Sequence, residues 1–255
     1  MPYMGPVHRL ITLLALFALA LTPGVSAQQG AAPPVPAPVG RPAAVRAPAS
    51  PDGAPVIPDS SVDWSGRSGE NRPDGQFQDD YLAWLAGSAA ARAQILAFTQ
   101  YLEREHVADV VPVWQLVRTA SMWRECDGPR FEVAPFTEWP HIAETLKFVR
   151  AHVIPVIGHV EAVSGYRDDA LNRCARGAPE SAHRHFYAID LVPVKALSRS
   201  GLIRSMCAIH QFRGRAYDIG LGFYSGTRFH VDSKGYREWG PDGKGDTSPC
   251  VTGIT

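Results

Sequence analysis

Three short stretches hold the side chains with which this chain would do chemistry. SAHRHFYAID at 181–190 carries Ser181, His183 and Asp190, RFHVD at 228–232 carries His230 and Asp232, and SGYR at 164–167 carries Arg167. Imidazole and carboxylate are the donors a catalytic zinc uses, three from the protein with a place left for water. His183 and Asp190 offer two of them, although their separation fits no regular helical motif. If 228–232 is a strand, His230 and Asp232 leave the same face, because side chains on a strand alternate. One would then bind a metal while the other reaches the metal's water.

Positioning such a cluster needs a sheet with something packed behind it. DDYLAWLAGSAAARAQILAFTQYLEREH at 79–106 puts Leu82, Leu85, Ala89, Leu96 and Leu102 near helical spacing, with Asp79 and Asp80 at the positive helix start, and reads as one or two helices. A second helix over 139–152 has Pro140 in its first turn, repeats Ile142, Leu146 and Val149, and should end at Pro155. VIGHVEAVSGYR then suggests a strand ending near Gly165, and YAIDLVPV at 187–194 a strand buried on both faces. Ser198 or Ser200 can cap a helix through Leu202, Ile203 and Met206 to about His210. DIGLGFYSGTRFHVD at 218–232 looks like a turn leading into a strand. The expectation is an α+β domain in which a small antiparallel sheet carries the site and an N-terminal helical region packs on it.

The ends and the composition bound the setting. His8 and Arg9 precede an apolar run at 10–21, followed by Val25, Ser26 and Ala27, the layout of a signal peptide over 1–27 cleaved after Ala27. The run is short for a bilayer span, so no stable membrane span is expected after cleavage and the mature chain should be secreted or periplasmic. Residues 28–58, rich in Ala, Pro, Val and Gly, read as a linker without a packed core. The remaining 59–255 fit one domain, helical over about 75–152 and catalytic over about 153–240. Setting aside Arg9, Arg41, Arg46 and Asp52 leaves 22 basic and 24 acidic residues of the chain's 25 and 25, a balance that gives no support for nucleic-acid binding. Cys126, Cys174, Cys207 and Cys250 suit two disulfides in an oxidising compartment, with all three connectivities open.

SAHRHFYAID resembles the SxHxxGxAxD signature of the zinc D-alanyl-D-alanine carboxypeptidase family, which includes LD-carboxypeptidases, phage endolysin peptidases and the distant hedgehog signalling domain. Ser181, His183, Ala188 and Asp190 match, and Phe186 stands where the signature has glycine. SGYR followed by Asn172 resembles the segment these enzymes carry upstream, and GLGFYSGTRFHVDSKGYREWG their closing segment. The resemblance covers roughly 153–240 and is closest to the secreted bacterial branch. It implies a Zn2+ held by His183, Asp190 and His230, and hydrolysis of peptidoglycan stem peptides through a zinc-activated water. The closing segment departs from the family, which ends in HxH or ExxWH with an acid near the last histidine. Here either His230 binds zinc and Asp232 is the base, or Asp232 binds zinc and His230 stands behind it. Arg167 would hold the developing oxyanion or the substrate's terminal carboxylate, and Ser181 would touch substrate or cap its loop. Whether a DD, an LD or a crosslinking bond is cut stays open, and a silent zinc-stabilised binding module is the alternative from another class.

The other histidines carry bland expectations. His141 and His152 fall on the 139–152 helix, His210 near the end of its helix, His106 near a helix end where a cation is favoured and His159 in a strand; His185 is close enough to His183 to line a pocket, with the surface the expected placement. Trp139, Trp239 and Tyr236 are expected to fill core.

Overall fold

The computed structural model describes residues 74–253. The expected signal peptide at 1–27 and linker at 28–58 lie outside the described residues. The fold is α+β, and its elements follow from local chemistry. Helix α1 (Gln78–Gly87) opens with Asp79 and Asp80, and α2 (Ala89–Arg104) is separated from it by Ser88, whose extended backbone breaks the run and whose hydroxyl accepts from Ala91 N at 3.1 Å. That break resets the helical frame. Tyr81 and Leu85, then Ala91, Ile95, Phe98 and Leu102, face the core, whereas Leu82 and Leu96 are exposed. The buried stripe is therefore only partly the one expected from the leucines.

Residues 105–138, between the two helical stretches, are mostly irregular, with the single turn α3 (Val113–Leu116) against the sheet and a 3-10 turn at Phe136–Glu138. Helix α4 (Trp139–Phe148) starts with Pro140 and buries Trp139, Ile142, Ala143 and Leu146. It does not stop before Pro155. A π turn at Val149–Val153, in which Ile154 N donates to Val149 O, shifts the hydrogen-bond register and leads into α5 (Ile154–Ile157), so Pro155 sits in a new first turn where its missing N–H costs nothing. Gly158, at φ 80°, ends the helix.

The sheet is built from β1 (Val160–Ser164), β2 (Ala188–Pro193), β3 (Gly220–Phe223), β4 (Phe229–Asp232) and β5 (Arg237–Trp239), in the order β1-β2-β4-β3-β5. Three neighbouring pairs are antiparallel and β3–β5 is parallel, so the sheet is mixed rather than wholly antiparallel. Alternation sorts its two faces. Ile189, Leu191, Leu221, Phe223, Phe229 and Val231 join the hydrophobic core, with α4 packed on β2 and β4. The opposite residues carry the polar cluster described below.

Between β1 and β2 runs α6 (Asp169–Cys174), and α7 (Arg199–Arg213), capped by Ser198, runs between β2 and β3. The four cysteines pair as Cys126–Cys174, which ties the 120s loop to α6, and Cys207–Cys250, which ties α7 to α8 (Pro249–Thr252). Among the described residues no helix is long and apolar enough to cross a membrane.

Candidate metal centre

On the polar face of the sheet, register brings the expected residues together. Asp190 on β2 lies directly across from His230 on β4, and Ala188 across from Asp232. His183 reaches the same point from a 3-10 turn, Ala182–His185, which Ser181 opens by accepting from His183 N at 3.4 Å. The turn closes at Phe186, which takes the left-handed conformation at φ 51°. This is the position where the resembling signature carries glycine, and the reason is now a backbone one: a side chain there costs roughly 1–2 kcal/mol. Burial offsets it. The Phe186 ring is fully buried against Phe98 and Tyr166 at centroid distances of 5.9 and 6.2 Å.

Two glycines of β3 make room for the cluster. A Cβ at Gly220 would lie 2.2 Å from Asp232 Oδ2, and one at Gly222 would lie 2.0 Å from the Trp239 ring. The alternation of Gly220 and Gly222 with Leu221 and Phe223 thus lets Asp232 and Trp239 lie flat over the strand.

His183 Nε2 lies 3.2 Å and His230 Nδ1 3.0 Å from the same oxygen, Asp190 Oδ1. The other nitrogen of each ring is committed. His183 Nδ1 is 2.6 Å from Gly165 O, a carbonyl that can only accept, so the ring proton sits on Nδ1. His230 Nε2 is 2.8 Å from Asp232 Oδ2 and donates to it. Burial, helped by the charge of Arg167, lowers the His183 pKa to about 4, so at neutral pH its Nε2 presents a lone pair to a carboxylate. Burial also opposes charge on His230, but Asp190 and Asp232 raise its pKa overall, so a proton on Nδ1 can settle that contact. Nothing within the protein settles the contact between His183 Nε2 and Asp190 Oδ1. Two acceptors held face to face in a buried site form a place suited to a cation. His183, Asp190 and His230, all buried, form the one group among the described residues whose ligand atoms lie within 4.8 Å of one another. Two imidazoles and a carboxylate are a donor set that fits zinc.

Asp190 is held firmly. Its Oδ2 accepts from Arg167 Nη2 at 3.0 Å and Arg228 Nη2 at 2.6 Å, while Oδ1 accepts from Tyr224 OH at 3.0 Å. Although burial opposes its charge, His183 and Arg228 keep the carboxyl well below the usual range. Burial and Asp190 push the Tyr224 phenol up, so it stays a donor. Neither Tyr224 nor Arg228 stood out in the sequence. Yet Arg228, His230 and Asp232 alternate with Phe229 and Val231, a period-two signal that puts all three on one face.

Asp232 has a different environment from the one a base needs. Its Oδ1 accepts from Lys234 N and Arg237 Nη1, both at 2.9 Å, and its Oδ2 from His230 Nε2 at 2.8 Å and Arg237 Nη2 at 2.7 Å. Burial opposes its charge, but His230 and Arg237 hold its pKa at about 2. Four hydrogen bonds occupy its lone pairs. This geometry favours Asp232 as the group that orients His230 over the expected role of base. It equally disfavours Asp232 as the ligand with His230 behind it, because Nδ1 of His230 is the atom that meets the other two donors.

The cluster opens into a cleft of about 580 Å³ lined by Arg167, Ser181, His183, Tyr224, His230 and Trp239, among others. Arg167, anchored through Nε to Ser164 Oγ and through Nη2 to Asp190, has no protein partner for Nη1 among the described residues. Trp239 lies 5.3 Å from the His230 ring and lines the cleft instead of filling core, whereas Trp139 is core and Tyr236 stacks on His210 at 4.4 Å. His141 is half-buried, stacked on Tyr187 at 3.7 Å. Glu180 and Asp242 also line the cleft. Comparison with known protein families, curated proteins and solved structures returns no match.

Proposed function

We propose that the chain is an exported zinc peptidase that hydrolyses D-amino-acid-containing peptides of peptidoglycan stems. The observation that carries this is the unsettled contact between His183 Nε2 and Asp190 Oδ1 at the wall of an open cleft. Zinc held by His183, Asp190 and His230 would act as a Lewis acid toward a carbonyl and lower the pKa of water. The protein's own groups do the rest. Gly165 O and Asp232 fix the two imidazoles in the tautomers that present Nε2 and Nδ1. Arg167 offers Nη1 to the oxygen on which charge develops or to a terminal carboxylate. Tyr224, Arg228 and Arg167 keep Asp190 ionised. Ser181 caps the His183 turn and touches the cleft wall. With Asp232 committed to His230, the proton of the attacking water would fall to a carboxylate on the cleft wall; Glu180 is the less encumbered one, with a 3.8 Å contact to Lys234 Nζ, whereas Asp242 accepts from Thr247 Oγ1 and Lys244 N.

The two disulfides suit export to an oxidising compartment. Metal analysis of the purified protein, with mass-resolved digestion of stem peptides with and without chelator, tests the reading. Stoichiometric zinc and chelator-sensitive release of D-alanine or a shorter stem are expected and would name the bond. Undiminished cleavage by metal-free protein would overturn it. One observation favours a second reading: Asp232, the carboxylate nearest the trio, is saturated, as it would be in a zinc-stabilised binding module. Full zinc occupancy without cleavage of any stem peptide would select that module.

A further inference from the structure

A second groove, of about 630 Å³, runs between α5 and α7 and shares no lining residue with the metal cleft. We propose that this groove and the outer face of α7 dock on a membrane surface bearing anionic phospholipid headgroups.

Charge segregation is the first ground. Residues 145–160, which lead into one wall, and 191–217, which form the other, contain no Asp or Glu, in a chain whose 25 basic and 25 acidic residues balance. They carry Lys147, Arg150, Lys195, Arg199, Arg204, Arg213 and Arg215. Several of these are engaged elsewhere: Lys147 by Glu105 and Glu144, Arg150 by Asp109, Arg199 by the carbonyls of Tyr224 and Gly226, and Arg215 by the Tyr236 ring. Arg204 and Arg213 are not. Both are exposed, both line the groove, and neither has a side-chain partner among the described residues.

The apolar content of the same surface is the second ground. Pro155, Val156, Ala208 and Ile209 form the groove, and Phe212 stands at its rim with 76% of its surface exposed, beside Val156 at 57%. Such a phenylalanine is unfavourable in water and is flanked here by guanidinium groups that have nothing to bind. In a bilayer interface both are satisfied: the aromatic ring enters the boundary of the acyl chains while arginines meet phosphates. A helix face that projects its aromatic outward suits a soft, laterally adaptable partner better than a rigid protein surface, whose recess would have to match Phe212. The Cys207–Cys250 disulfide holds α7 in place, so the surface is preformed.

The test is flotation of the full chain with vesicles of phosphatidylcholine alone or mixed with phosphatidylglycerol, together with hydrogen exchange over Arg199–Arg213. Binding is expected only with phosphatidylglycerol, with slowed exchange in α7. At about fivefold per basic residue, R204A/R213A should weaken partitioning roughly 30-fold, and F212S should weaken it further. The substituted side chains are exposed and lie outside the metal centre, so zinc content and circular dichroism should not change. Equal binding to both vesicles, untouched by these variants, would assign attachment to the apolar run at 10–21 and overturn the proposal. Protection of α7 by soluble poly-glutamate equal to that by vesicles would also overturn it, in favour of an acidic macromolecule.

Discussion

Two networks of buried charge lie close together in this molecule, and they are built to opposite rules. In one, Arg118, the largest fully buried side chain, donates to Glu161 Oε1 at 2.9 Å, Ala162 O at 2.7 Å and Gln76 O at 2.9 Å, and lies over the Trp114 ring at 4.3 Å. Each of these contacts pairs a donor with an acceptor, with Gln76 Oε1 beside them lacking a partner among the described residues, and the network lies between the irregular 105–138 stretch and β1. In the other, Asp190 is equally buried and meets two arginines, yet His183 aims a lone pair at it beside an open cleft. The first network braces the fold; the second leaves like polarity facing like, an arrangement suited to a cation. Burial alone would not have told them apart. Donor and acceptor accounting does.

The sharpest way to break this comparison is His183→Ala. Zinc content and hydrolysis should fall to background while the metal-free variant stays folded, because losing the repulsive contact with Asp190 offsets part of the cost of losing the hydrogen bond to Gly165 O. Calorimetry in chelator with metal analysis reads both, and an unfolded variant would mean that the metal cluster, too, is a brace. The converse is Arg118→Met, which leaves Glu161 without its guanidinium and should cost about 3–5 kcal/mol in a denaturant titration, with zinc stoichiometry unchanged in the folded fraction.

Asp232→Asn sharpens the division of labour inside the site. It should weaken zinc affinity roughly 10- to 100-fold, since it removes the carboxylate behind His230. Glu180→Gln should lower kcat with affinity intact, and equal metal affinity in wild type and Asp232→Asn would return Asp232 to the role of base. The smallest effect concerns a carboxylate that belongs to neither network. Glu132 has a buried Oε2 without a partner, and burial, with Asp168 adding to it, raises its pKa to about 7. The folded state then binds more protons than the unfolded state between the ordinary glutamate pKa and about 7, so stability should fall as pH rises through that window. Glu132→Gln should flatten the fall, a gain near 1 kcal/mol at pH 8 after allowance for solvent screening.

Parts of the fold were legible because they are local. A mostly apolar run marked 187–194, period-two alternation marked 228–232, helical periodicity marked 139–152, and Ser198 marked a cap that the structure uses. The leucine stripe of 79–106 misled because one serine breaks the helix and rotates the frame. Pro155 misled because a π turn absorbs it. The strand pairing of β5, parallel to β3 across an intervening hairpin, has no local signature.

His183, Asp190 and His230 were named from residue type and family pattern, and alternation put His230 and Asp232 on one face. Tertiary structure decided what those positions touch. Which ring nitrogen meets Asp190, that Arg228 and Tyr224 hold it, that Arg237 saturates Asp232, and that Cys126 pairs with Cys174 and Cys207 with Cys250 all depend on segments distant in the chain meeting at particular distances. Residue type and spacing set which donors are present and on which face of a strand they lie. Only packing sets which partner reaches each lone pair first, and that decides whether a carboxylate is a ligand, a base or a brace.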